Sequence, residues 1–280
     1  MFYLVAVFIQ LMFIGNLSMK KTLIALAVAA SAVVSCSAMA SDWGQNSSGS
    51  VEIGGTLTPA AKVTPWEVKT GDAVTNLDAQ VQKGQNSVTV KVNEAIPVLG
   101  IRNADVNGFT GREGIKPQIS YNNAVDINGF SNGVTTVTLS VQDVSGSAIG
   151  TMTAPFSAAA VSSCSSGTCG TGGYMTLYAD QDTASFYGGL GKKSGAVLNS
   201  NGALKLITAL SSDFLEKWKQ HGEDVGAGRE LFDDSNTNYF GAYGAGIEKG
   251  KNITIKLNNA VANDDQIQWK ASLPVTVTYM

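Results

Sequence analysis

Histidine is almost missing from this 280-residue chain, which holds only His221. A His-rich metal site is therefore excluded, and a His-based catalytic triad would have to be built on that one residue. Charge is also scarce, at 15% of residues against roughly 25% in an average domain. The net charge of −3 supplies no basic face to displace counterions from phosphate, so no nucleic-acid partner is expected. There are 6 Pro, and the 31 Gly follow no three-residue period, which excludes collagen. What is plentiful is apolar content, at 44%. That is too much for a disordered chain, and its distribution is too even for a polytopic membrane protein.

The longest apolar runs lie in residues 1–40. Residues 1–15 form an uncharged apolar stretch, followed by a second beginning at Met19-Lys20-Lys21. A basic start, an apolar run from Leu23 to Val34 and the small-x-small triplet Ala38-Met39-Ala40 make residues 19–40 a signal peptide. On this reading residues 1–18 lie upstream of the true start. Two rivals are an N-terminal membrane anchor and a lipobox, Val33-Val34-Ser35-Cys36, with lipid on Cys36. Cleavage after Ala40 removes Cys36 and leaves Cys164 and Cys169, in SSCSSGTCG. An even cysteine count in an exported chain reads as a disulfide. A metal or redox pair is the weaker reading, since those usually keep two residues between cysteines and no second ligand pair exists.

The rest reads as strands. Ser87–Val92, Val134–Val144, Ala148–Phe156, Tyr174–Ala179, Asn252–Leu257 and Leu273–Met280 are short, rich in Val, Thr and Tyr, and several of them alternate. Gly and Asn between them point to an antiparallel sandwich. One segment departs from this period. Leu206, Leu210, Phe214 and Trp218 recur every fourth residue, which predicts a helix over Ala203–Gln220, stopped at His221-Gly222. The helix and its flanking loops are expected to be an insertion on a β scaffold.

Catalytic motifs fail on context. Gly129-Phe130-Ser131-Asn132-Gly133 matches a hydrolase nucleophile elbow, but a strand follows it where the elbow needs a helix. Gly188–Ser194 lacks the spacing of a phosphate loop. Asp126 and Asn128 are not followed by a calcium-loop ligand set, and Asp233-Asp234 reads as a solvated turn. No enzyme activity, cofactor or metal is expected.

The two ends carry more. Gly49, Val51, Ile53 and Gly55 fall on one side of an extended strand that follows a polar stretch from Ser41. At the C-terminus, Leu273, Val275, Val277 and Tyr279 share one face of a strand. A free apolar edge there invites aggregation unless it is covered, either within the chain or by strand addition from another chain.

Several segments resemble one family. They are MKKTLIALAVAASA from Met19, GSVEIGGTLTP from Gly49, WEVK from Trp66, IPVLG from Ile96, PQIS from Pro117, FYGGL from Phe186, YGAGI from Tyr243 and WKASLPVTVTY from Trp269. In this order, and across the mature chain, they are similar to the FaeG/ClpG-type major fimbrial subunits of enterotoxigenic and related Escherichia coli. Cys164, Cys169 and the 190–240 segment depart from that pattern.

The resemblance implies an all-β fold: an immunoglobulin-like sandwich lacking its last strand, with an insertion. It divides the chain into a signal peptide (19–40), an N-terminal donor extension (41–58) and a pilin domain (59–280) with its insertion at about 180–245. Gly49, Val51 and Ile53 would be the donor strand. Leu273, Val275, Val277 and Tyr279 would edge the acceptor groove, used first by a periplasmic chaperone and then, at the outer-membrane usher, by the next identical subunit. The product is a surface fimbrium. In such families the major subunit can also be the adhesin, which would place a host glycoprotein or glycolipid site on the insertion, with Asp233, Asn236, Asn238 and Tyr239 as candidates. The competing reading is a monomeric exported binding protein or lipoprotein with a complete sandwich.

Overall fold

A computed structural model describes residues 53–55, 63–167 and 172–280. The chain divides into two compact units, 1–59 and 60–280. In the first, only 53–55 are described, without regular structure and with Ile53 94% exposed. Gly49, Val51, the signal segment and Cys169 lie outside the described residues.

The second unit is all-β with one α-helix. In chain order the strands are β1 (Trp66–Thr70), β2 (Ser87–Lys91), β3 (Ile96–Asn103), β4 (Phe109–Thr110), β5 (Pro117–Ser120), β6 (Val134–Gln142), β7 (Ala148–Ser166), β8 (Gly173–Leu177), β9 (Glu223–Gly228), β10 (Asn238–Ile247), β11 (Asn252–Leu257), β12 (Lys270–Ala271) and β13 (Thr276–Tyr279). Helix α1 covers Ser200–Leu210. Among the described residues, no helix is long and apolar enough to cross a membrane.

Strand β7 organises the fold. Its first half lies between β6 and β11, and its second half between β10 and β8. Strand β10 in turn pairs with β3, and β3 with β1. All these pairs are antiparallel; β8 and β9 pair in parallel. Strands β5 and β13 form a separate two-stranded sheet whose inner residues join the same core.

Three differences from the sequence expectations have physical causes. The strand expected to end at Phe156 runs on to Ser166, because Phe156–Ser163 is buried throughout and shows no alternation. The helix starts at Ser200 and stops at Leu210, earlier at both ends than expected. Asn199 caps it, its side chain accepting from Gly202 N, and Ser211 turns extended. A short 3-10 turn, Ser212–Leu215, then places Phe214 on the face that α1 buries against Ala159, Val161 and Ala242. Third, the expected insertion over 180–245 overruns the scaffold, since β10 is a central strand from Asn238 onward. Its glycines make room: a Cβ at Gly244 would lie 3.1 Å from Phe214, and one at Gly100 in β3 would lie 2.2 Å from the same ring.

Candidate functional site: an apolar groove beside the C-terminal strand

Beside the C-terminal strand lies a groove of about 1710 Å³. Its floor is built from buried core residues, Val137 and Leu139 of β6, Met152 and Phe156 of β7, Ile247 of β10 and Ile253 of β11. These side chains project from strands that alternate inward and outward, so one apolar row per strand faces the groove. Two ribbons without regular structure wall it. One is the strap 72–83; the other is 263–275, interrupted only by β12.

Along the second wall the C-terminal residues alternate between half-buried and exposed from Ala271 to Met280. Leu273, Val275, Val277 and Tyr279 are the half-buried set and pack on the core, as their shared face predicts. Of these, Leu273 and Val275 line the groove. Val277 and Tyr279 lie further along the strand, opposite Ile119 and Pro117 of β5. Among the described residues β13 has one partner strand, β5. The groove thus brings exposed apolar wall residues, Val74 and Ile267 among them, next to a C-terminal strand with one described partner strand.

The receptor candidates are not brought together as a surface patch. Asn236 is exposed, and its backbone N donates to Asp234 Oδ1 at 2.9 Å. Asp233 forms an ion pair with Lys116 at 3.1 Å. Asn238 clamps two loops, its Nδ2 donating to Asn107 O and Ser165 Oγ, each at 3.0 Å. Tyr239 is buried, edge-on to Phe232 at 5.3 Å, and does not present a ring face for a sugar to stack on. Burial pushes its phenol up to about 12.

Tyr239 instead lines a second, smaller cleft of about 390 Å³ with Ser162, Glu230, Thr237 and Arg229. Burial raises the Glu230 carboxyl above the usual range, against three hydrogen bonds that favour its ionised form. Ser162 Oγ donates to it at 2.9 Å, Leu231 N at 3.0 Å and Phe232 N at 3.3 Å. Those bonds hold Phe232 at φ +53, a left-handed conformation that a bulky side chain seldom adopts. Glu230 and Ser162 escaped the sequence reading because neither sits in a motif. Cys164, at the cleft margin, is disulfide-bonded.

A family model described as "Fimbrial, major and minor subunit" matches residues 19–280, and the chain belongs to that family. It is similar to three Escherichia coli proteins over 93% of its length and 100% of theirs. These are K88 fimbrial protein AB at 32% identity, F41 fimbrial protein at 31% and K88 fimbrial protein AC at 30%.

Proposed function

We infer that this protein is the major structural subunit of a surface fimbrium, exported through the periplasm and polymerised by donor-strand exchange. The observation that carries this is the groove with β13 at its margin. Apolar wall residues exposed to water, such as Val74 and Ile267, are costly, and so are backbone groups left without a partner. An extended segment bearing Gly49, Val51 and Ile53 suits both needs. Burying each aliphatic plug contributes about 1.5–3 kcal/mol, while the backbone ladder supplies direction. The chaperone would hold the same edge until the usher delivers the next subunit.

The test is purification of the mature subunit without a chaperone, then addition of a synthetic peptide spanning residues 43–59. The expected result is an aggregation-prone subunit that the peptide makes soluble and raises in Tm. A stable monomer that ignores the peptide would favour the complete-sandwich reading.

An adhesive role fits the same subunit, because both termini are committed to polymer contacts and a host glycoprotein or glycolipid must be met by what projects sideways. Asp233 and Asn236 retain surface exposure for this; Asn238 and Tyr239 would act by shaping the loop that carries them. Asp233→Ala with Asn236→Ala is expected to cut glycan or cell binding by the intact fimbria severalfold while leaving polymer yield unchanged, since weak single sites are multiplied along a filament. Wild-type binding by that variant would remove these two residues from the site.

A further inference from the structure

The groove is closed at one corner by a device that neither the family match nor the polymerisation reading accounts for. Gly84 N donates to Val261 O and Val261 N to Gln85 O, both at 2.9 Å, and Leu257 N donates to Asn86 O at 2.7 Å. Beside them Lys83 Nζ meets Asp264 Oδ2 at 2.6 Å. These bonds tie the end of the strap 72–83 to the start of the opposite wall. Val261 sits at this junction, half-buried on the core, and its side chain lines the groove. At the strap's other end Gly71 N bonds Val98 O of β3, so there the strap is fastened to the floor strand and not to the facing wall. Between these anchors, among the described residues, no backbone–backbone hydrogen bond involves residues 72–81.

An entering strand has a register problem that this corner would solve. A backbone ladder is indifferent to sequence, and a slip of two residues keeps the same side chains facing inward. The row Gly49, Val51, Ile53, Gly55 carries two adjacent aliphatic plugs of similar size, so a two-residue slip still fills the groove with one of them. Apolar burial alone discriminates weakly between the two registers. A closed end discriminates by steric exclusion, because an over-inserted strand meets Val261 and the knitted backbone around it.

We propose that Val261, held by the Gly84–Gln85 backbone pairing and the Lys83–Asp264 ion pair, is the end-stop that sets the register of the strand received by the groove; this rests on the donor-strand reading above. The ion pair is exposed and would add little by itself. The stop is chiefly the side chain of Val261 and its backbone anchors.

The experiment uses the chaperone-bound mature subunit and the 43–59 peptide carrying Val51→Cys, with Leu273→Cys or Val275→Cys in the subunit. Disulfide trapping reads the register, because these two positions differ by one two-residue slip. With the native corner, the peptide is expected to be trapped at one of the two positions almost alone. With Val261→Ala/Asp264→Ala, the disfavoured adduct should rise at least severalfold. Val261→Phe, which shortens the groove and leaves the backbone anchors in place, should shift trapping toward the other position and serves if the first variant does not fold. Unchanged selectivity in the folded variants overturns the end-stop and leaves donor-strand exchange standing. No adduct at either position, with no gain in Tm, overturns donor-strand exchange itself.

Discussion

Fimbriae should disappear from the surface of cells expressing Val51→Asp/Ile53→Asp, while chaperone-bound subunit accumulates in the periplasm. Each substitution removes an aliphatic plug worth about 1.5–3 kcal/mol on burial. Each also asks the groove of the next subunit, floored by Phe156, Met152 and Ile253, to accept a carboxylate, and of the lysines on its walls Lys83 is already paired with Asp264. Burying such a group without compensation costs several kcal/mol. Since about 1.4 kcal/mol is a factor of ten in binding, the two changes together weaken the contact by several orders of magnitude. The pilin domain itself begins after this segment, so its own folding and capture by the chaperone should persist. Electron microscopy of the cells and the amount of periplasmic complex measure the two halves of the result. Normal fimbriae from the double variant would remove Val51 and Ile53 from the polymer contact.

The parts that sequence made legible are those with a simple period. Asn252–Leu257 appears as β11 at the expected boundaries, and Ser87–Lys91 lacks only the expected final residue. The C-terminal face Leu273, Val275, Val277 and Tyr279 was visible because the chain alternates there and one side of it is wet. Strand β10 was hidden by its own composition. Asn238–Ile247 contains Gly241, Gly244 and Gly246, which read as loop. Yet a Cβ at Gly241 would stand 2.7 Å from Trp66, and one at Gly246 would stand 2.3 Å from the carbonyl of Ile96. Glycine there answers to close packing between elements remote in sequence, which no local pattern records. Tyr239, which follows a polar loop and could be read either as a sugar contact or as packing on the sandwich, lies in the core. Phe214 is the mixed case. Its four-residue spacing from Leu210 placed it on the right face, but Ser211 breaks the helix in between.

The helix of the insertion is attached to the scaffold away from the groove floor. Helix α1 and the turn after it lie against β7 and β10, on the side occupied by Ala159, Val161 and Ala242. Glu67 ties β1 to the same segment, accepting from Lys217 Nζ at 2.6 Å and from Arg102 Nε at 2.8 Å, and these contacts hold its carboxyl below the usual range. The groove-floor residues belong to the other core cluster. Asp233 and Asn236 do not line the groove, so changes there are expected to leave strand exchange alone, and changes along β13 are expected to stop it.

Val275→Asp provides the sharpest case of the latter. Val275 is half-buried, packs on the core beside Leu273 and lines the groove, with β13 beginning at the next residue. A carboxylate there faces the same apolar floor from the acceptor side. Because the chaperone and the neighbouring subunit would use one edge in turn, a defect in that edge acts before assembly begins. The expected result is loss of both species, with neither fimbriae nor periplasmic complex, and with degraded subunit in place of the accumulation expected for the donor variant. Val275→Thr conserves shape, adds a hydroxyl and favours a strand, so it should retain complex at reduced yield. Quantifying subunit in periplasmic extracts with and without the chaperone distinguishes the two substitutions. If Val275→Asp instead accumulates chaperone complex like the donor variant, the chaperone does not hold this edge, and β13 serves the polymer contact alone.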